Sequence, residues 1–133
     1  MDCYATGECF DDVGALVLYL VKRNDFEPES ITVVHAEVLF DGSDEPAAHA
    51  WLEVKDECYE TFYQQEGGGE KIVIRMPVAD HNSRMKVLRE LRYSLEECLA
   101  QCRRRGDTTG PWDEGLIKIA SKFDNTKGLR IVK

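Results

Sequence analysis

The sequence predicts an α+β fold, in which one apolar helix is followed by consecutive antiparallel strands and then by further helices. Residues 9–23 carry apolar side chains at the three- and four-residue spacings of a helix, with further apolar residues around it, which indicates a buried helix. Residues 47–64 alternate on both sides of a short polar connection, the pattern of a β-hairpin. Because helices and strands are segregated along the chain, a parallel βαβ sheet is not predicted.

The other elements follow from periodicity and turn residues. Residues 1–8 are expected to be irregular. In chain order, the remaining predictions are a strand over 31–40, a strand over 70–76, a long helix over 83–105, a short helix over 111–123 and an edge strand over 129–132. The long helix is predicted from a seam of leucines that we expect to be buried: Leu88, Leu91, Leu95 and Leu99.

Length and composition predict a single domain, residues 1–133, in which residues 7–64 form a core of helix and strands and residues 65–133 add a C-terminal strand and helices. The net charge of −8 argues against a nucleic-acid partner, because phosphates would be repelled. The longest apolar run, residues 13–21, is too short to cross a bilayer, and residues 1–12 do not read as a signal segment. We therefore expect a cytoplasmic protein without membrane partners, its five cysteines mostly reduced.

A thiol, an imidazole and a carboxylate follow one another along the predicted core. Cys9 begins the first helix, where the helix N-terminus and a nearby imidazolium favour a thiolate, although Asp11 and Asp12 oppose that effect. His49 and Glu60 lie on the two arms of the hairpin, almost opposite each other if the turn centres between residues 54 and 55. The order predicts a nucleophile, a general base and an orienting carboxylate, with a Glu60–His49 hydrogen bond.

Each of these residue types also has a purely structural interpretation. Cys9 could be an inert buried cysteine, and His35 is better explained as a structural residue. His81, between Asp80 and Asn82, is expected to be solvated. Cys98 and Cys102 lie four residues apart on one predicted helix face, but no partner histidines or cysteines converge with them in sequence. We therefore expect core packing there, and neither a metal site nor a cofactor.

Three segments resemble the transglutaminase-like superfamily, which has a papain-like cysteine-hydrolase fold. Residues 7–20 resemble its nucleophile helix, residues 48–54 its histidine strand, and residues 59–61 the segment with its third triad member, so the resemblance covers residues 7–61. It implies a cysteine-protease-like α+β domain whose nucleophile is Cys9 and whose base is His49. It also implies that Trp51 packs beside this pair. Trp51 and Tyr4 are the candidate substrate-binding residues, and the Cys9 N–H and Tyr4 are candidate oxyanion donors.

The chain departs from this family at the third triad position, where Glu60 replaces the usual aspartate. Asp56, in the hairpin turn, is the alternative carboxylate. The implied function is acyl transfer at amide bonds of a peptide or protein substrate through a Cys9–His49–Glu60 triad, passing the acyl group to water or to an amine without a cofactor. The alternative is a non-catalytic, small acidic interaction or regulatory protein on the same fold.

Overall fold

One antiparallel sheet with helices packed against it forms the protein, so the predicted α+β class is confirmed. The structure is a computed structural model that describes residues 3–5, 8–23, 26–65, 68–106, 108–122 and 130–132. In chain order the elements are β1 (Cys3–Ala5), α1 (Cys9–Arg23), a 3₁₀ turn (Pro28–Ser30), β2 (Ile31–Phe40), β3 (Ala47–Val54), β4 (Glu57–Gln65), β5 (Gly68–Pro77), α2 (Val78–Asn82), β6 (Met85–Ser94), α3 (Leu95–Arg104), α4 (Glu114–Ala120) and β7 (Arg130–Val132).

The order of strands leaves a split in the middle of the sheet. Along the path β6-β2-β3-β4-β1-β7, β4 pairs with β3 near its start and with β1 near its end, while β5 follows its other edge. The β3–β4 ladder runs only from Val54–Glu57 to Leu52–Tyr59. Beyond that pair the two strands separate, so the first half of β3 is not paired with β4.

The helix-side face of the sheet is the apolar side, which α1 covers. Alternate residues of β2 and β3, including Val33 and Leu52, pack with Phe10, Val17 and Trp112. Burial of these side chains stabilises the fold through the hydrophobic effect. The helix is not buried all round as expected, because Leu18, Tyr19 and Val21 are exposed on its outer surface.

The opposite face, which we call the closed face, is covered by β5 and α2. It holds alternate residues of β2 and β3 together with inward residues of β4, and the apolar side chains of β5 pack against them. The short helix α2 contacts β4, β5 and β6 and so bridges the edges of this face. Four polar side chains are nevertheless buried on this side: His49, Glu53, Glu60 and His81.

The helix predicted over 83–105 is wrong for its first half, which forms β6. That segment pairs with β2 over nearly its whole length, and a β-bulge between Glu37 and Val38 shifts the register. Only the second half is helical, as α3, which Ser94 and Glu97 begin with a capping box. The predicted leucine seam is therefore split: Leu91 and Leu95 pack against the helix-side cluster, whereas Leu88 and Leu99 are exposed.

Smaller differences concern the termini. The segment expected to be irregular contains β1, which pairs with β4 and β7. The predicted 111–123 helix begins later, at Glu114, because the Asp113 side chain caps it, and Phe123 lies outside the described residues. The predicted strand at 129–132 agrees with β7. Among the described residues, no helix is both long and apolar enough to span a membrane.

Candidate functional site

Cys9 is the first residue of α1, and its thiol lies at the split between β3 and β4. Cys9 Sγ is 4.0 Å from the carbonyl oxygen of Ala48, and the Ala50 backbone also hydrogen-bonds the sulfur. Ala48 and Ala50 are the two chain neighbours of His49. The unpaired edge of β3 can accept this side chain because β4 has diverged there. The thiol thus contacts the backbone on both sides of the predicted base. It packs with the helix-side cluster, however, whereas the His49 side chain points to the closed face, and within the described residues no hydrogen bond joins Cys9 Sγ to the imidazole.

The pKa of Cys9 is raised to about 12, chiefly by burial and secondarily by the negative charge of Glu60. Hydrogen bonds from the Ala50 and Phe10 backbones act in the opposite direction but are outweighed. Asp12 raises the pKa further, while Lys71 of β5 binds Asp12 at 2.7 Å. The resting thiol is therefore protonated at neutral pH, and it would need a base to become nucleophilic.

His49 and Glu60 contact one another on the closed face. His49 Nε2 lies against Glu60 Oε1, and both side chains are buried. The strand register differs from the expected one. Leu52 pairs with Tyr59, so the turn centres between residues 55 and 56. If this register is continued by one pair beyond Leu52–Tyr59, Trp51 and not His49 lies opposite Glu60. The His49–Glu60 contact is thus diagonal, and the longer side chain of glutamate suits such a reach.

His81 is the residue that the sequence analysis missed. It was expected to be solvated, but it is buried, and its Nε2 lies 2.7 Å from Glu60 Oε2. Its Nδ1 is 2.9 Å from Asn82 Oδ1. Burial disfavours its cation, but the hydrogen bond and charge of Glu60 outweigh burial and raise the pKa of His81. Its polar neighbours in sequence favoured solvation, and only the position of α2 over the closed face buries it.

Glu60 therefore bridges two imidazoles, one on each carboxylate oxygen. Burial lowers the pKa of His49, while the charge of Glu60 acts to raise it and the nearby His81 to lower it. Ligand atoms of His49, Glu60 and His81 all lie within 4.8 Å of one another. This cluster of three side chains is the most concentrated polar feature of the closed face.

Trp51 covers this cluster from the side. Its ring centroid is 4.7 Å from that of His81 and 5.8 Å from that of His49, so it packs beside the two imidazoles. The indole Nε1 donates a hydrogen bond of 2.9 Å to Glu53 Oε2, and Arg92 binds the same carboxylate. These bonds outweigh the effect of burial and lower the pKa of Glu53.

The remaining predicted residues contribute less to this site. The side chain of Tyr4 lies outside the described residues, so its role as an oxyanion donor remains a prediction. Asp56 is exposed in the β3–β4 turn, whereas Glu60 contacts the imidazole. Cys98 and Cys102 are free thiols that pack against the helix-side cluster.

A scan against protein-family models finds no match for this chain. Searches of curated proteins and of solved structures likewise give no significant match. The likeness to the transglutaminase-like superfamily therefore depends on the three sequence segments alone.

Proposed function

We propose that the protein is a thiol enzyme that transfers acyl groups from amide bonds of a peptide or protein substrate. The observation that carries this proposal is the position of the Cys9 thiol on the backbone flanking His49, while Glu60 contacts the His49 imidazole. Nucleophile, base and orienting carboxylate then come from α1, β3 and β4. The same three roles, in this chain order, are those of the transglutaminase-like superfamily that residues 7–61 resemble.

Glu60 sets the tautomer of His49 in this mechanism. A carboxylate only accepts hydrogen bonds, so the imidazole nitrogen against Glu60, Nε2, carries the proton. The lone pair is then on Nδ1, which is the nitrogen that would accept the Cys9 proton. Glu60 also stabilises the imidazolium that this transfer creates.

The reaction begins with a neutral thiol and a neutral imidazole rather than with an ion pair. The raised pKa of Cys9 and the lowered pKa of His49 both favour the neutral forms. As Sγ attacks the acyl carbon, its proton passes to His49, which then gives it to the departing amine. Water or a second amine next attacks the thioester and releases the acyl group and the thiol.

The first turn of α1 supplies charge stabilisation for the oxyanion. The first N–H groups of a helix have no acceptor within the helix, and the Cys9 N–H is one of them. Cys9 as a residue is partly exposed, whereas burial dominates the environment of its thiol, so a substrate would reach Sγ only if the start of α1 shifted. Such chemistry requires reduced thiols, and the free Cys9, Cys58, Cys98 and Cys102 fit the cytoplasm.

Acylation by a generic active ester tests this proposal without knowledge of the natural substrate. We expect p-nitrophenyl acetate to place one acetyl group on Cys9, detected by intact mass and peptide mapping. Cys9→Ala should abolish this acylation, and His49→Gln should slow it while leaving labelling of Cys98 and Cys102 unchanged.

The alternative function is a non-catalytic interaction protein on the same fold. The raised pKa of Cys9 favours this alternative, because a buried, protonated thiol is also what an inert cysteine looks like. If Cys9 is acylated no faster in the wild type than in His49→Gln, the imidazole does not activate the thiol. That result would replace the enzyme with the interaction protein.

A further inference from the structure

We propose that His49, Glu60 and His81 bind one zinc ion, and that the bound ion switches off the thiol. Two imidazoles and one carboxylate form a donor set that zinc accepts, with the remaining coordination position open to water. All three side chains are buried, at 4%, 3% and 1% relative exposure for His49, Glu60 and His81. They come from β3, β4 and α2, so the tertiary structure assembles the set.

The donor atoms are close to the spacing that zinc requires. Zn–N and Zn–O bonds of about 2.0–2.2 Å place neighbouring ligand atoms roughly 3–4 Å apart in a tetrahedral site. His81 Nε2 and Glu60 Oε2 are 2.7 Å apart, and the whole set lies within 4.8 Å. Side-chain rotations that move the donor atoms by on the order of 1 Å would bring them to these spacings and admit the ion.

Two buried atoms at the centre of the cluster are not satisfied by hydrogen bonds. His49 Nε2 and Glu60 Oε1 lie against one another, and neither has a hydrogen-bond partner of acceptable geometry within the described part of the chain. In the proposed mechanism the Nε2 proton fills this contact, and a metal cation could take the place of that proton. A zinc ion would satisfy both atoms at once.

The second histidine is already oriented for a metal. Asn82 Oδ1 lies 2.9 Å from His81 Nδ1 and accepts a hydrogen bond from it, which leaves Nε2 to face Glu60 Oε2. An imidazole whose other nitrogen donates to a fixed oxygen is the usual arrangement of a metal-bound histidine. The 2.7 Å separation of Nε2 and Glu60 Oε2 is that of a hydrogen bond, with a proton of the imidazole between the two atoms. A proton fills that place in the resting protein, and zinc would displace it.

Zinc and catalysis would exclude each other at His49. A metal on Nε2 moves the remaining imidazole proton to Nδ1, and Nδ1 can then no longer accept the proton of Cys9. Zinc also takes the Glu60 carboxylate that orients the base. This inhibitory consequence rests on the proposed function, whereas the binding of the metal does not.

Cobalt, a spectroscopic substitute for zinc, tests the site in the full chain. The protein is freed of metal with a chelator, kept reduced with a phosphine and titrated with Co²⁺. We expect visible absorption of four- or five-coordinate cobalt that saturates at one equivalent, lacks the intense near-ultraviolet band of a thiolate ligand, and is abolished by zinc. Absence of binding, or a thiolate band, would overturn the metal site from the wild type alone.

Variants then assign the ligands. Glu60→Gln and His81→Gln should each weaken cobalt binding by more than about 100-fold, and Asn82→Leu, which removes only the orienting oxygen, by about 10–100-fold. The matched control, Cys98→Ala with Cys102→Ala, should bind as the wild type does. Binding that survives Glu60→Gln and His81→Gln, or that is lost in the cysteine control, would refute the proposed ligands.

The regulatory effect is measured in each variant as the ratio of the Cys9 acylation rate with a chelator to the rate with zinc. Zinc should suppress acylation of Cys9 by p-nitrophenyl acetate in the wild type, a chelator should restore it, and His81→Gln should show a much smaller ratio between the two conditions. Zinc that binds the cluster without changing Cys9 acylation would refute the switch and leave the thiol enzyme standing. Cys9 that is never acylated, in a protein that binds cobalt as expected, would instead refute the proposed function.

Discussion

Two buried histidines on neighbouring strands have opposite surroundings. His35 of β2 pairs with Ala50 of β3, and His49 of β3 pairs with Ala36 of β2, so the two side chains point to opposite faces of the sheet. His35 lies on the helix side in an aromatic cluster, with ring centroids 4.7, 4.8 and 5.1 Å from those of Phe10, Trp112 and Tyr93. His49 lies on the closed face against Glu60.

The comparison shows that burial alone does not make a histidine chemically useful. Burial lowers the pKa of both residues, and that of His35 falls to about 4. Within the described residues, His35 Nδ1 has no hydrogen-bond partner, so the ring acts as an aromatic packing group. His49 differs because a carboxylate lies against one of its nitrogens, and in the proposed mechanism the other nitrogen takes up the proton. The carboxylate therefore separates the candidate site from the core.

The largest expected effect comes from removing that carboxylate while keeping its shape. Glu60→Gln offers an amide N–H to Nε2 and so favours the His49 tautomer that cannot accept the Cys9 proton. We expect Cys9 acylation by p-nitrophenyl acetate to fall by about three to four orders of magnitude. His35→Leu, which alters the other buried histidine, should acylate as the wild type does. If Glu60→Gln is acylated at the wild-type rate, the carboxylate does not give His49 a role that His35 lacks.

Next in size is the packing of two adjacent, fully buried residues that face opposite sides. Trp51→Ala should lower the free energy of unfolding by about 3–5 kcal/mol and Leu52→Ala by about 2–5 kcal/mol, measured by urea denaturation. Trp51→Ala should also slow Cys9 acylation, because it admits water beside His49, whereas Leu52→Ala should change stability only. Equal effects on acylation would show that the indole has no particular role at the site.

The pH dependence of stability should distinguish the helix-side histidine. Because the pKa of His35 is about 4 when folded and about 6.5 when unfolded, the unfolded chain binds more protons between these values. Its contribution is therefore constant above pH 6.5 and is lost as the pH falls towards 4, by about 3 kcal/mol in total. His35→Leu should remove this part of the pH dependence. A difference between wild type and variant that stays constant from pH 7 to pH 4 would contradict the assignment.

The smallest effect concerns the edge of the closed face. Arg92 Nη2 donates to Glu53 Oε1 at 2.7 Å, and Trp51 Nε1 donates to the other oxygen. Arg92→Gln should cost about 1–2 kcal/mol, since the half-exposed guanidinium is lost but the indole bond remains. Arg75→Gln, at an exposed arginine of β5, is the control and should be nearly neutral. Equal unfolding midpoints for the two variants would show that the Arg92 bond adds no stability.

Local sequence patterns were sufficient for the parts of the fold that depend on near neighbours. The periodicity of residues 9–23 defines α1, and the alternation of residues 47–64 defines the β3–β4 hairpin, because side chains one turn or one pleat apart set these elements. The hairpin pattern also predicted the contact between His49 and Glu60, although the turn is centred one residue later than expected.

Long-range contacts decided the rest. The leucine spacing of residues 83–94 suits a helix, but pairing with β2 makes the segment a strand, since a partner strand some fifty residues earlier in the chain supplies its hydrogen bonds. His81 has polar neighbours in sequence, yet α2 places it over the closed face and against Glu60. The sequence by itself determined α1, the hairpin and the Cys9, His49 and Glu60 candidates. Only the tertiary structure added the second imidazole, because the burial of a polar side chain depends on what distant segments lay over it.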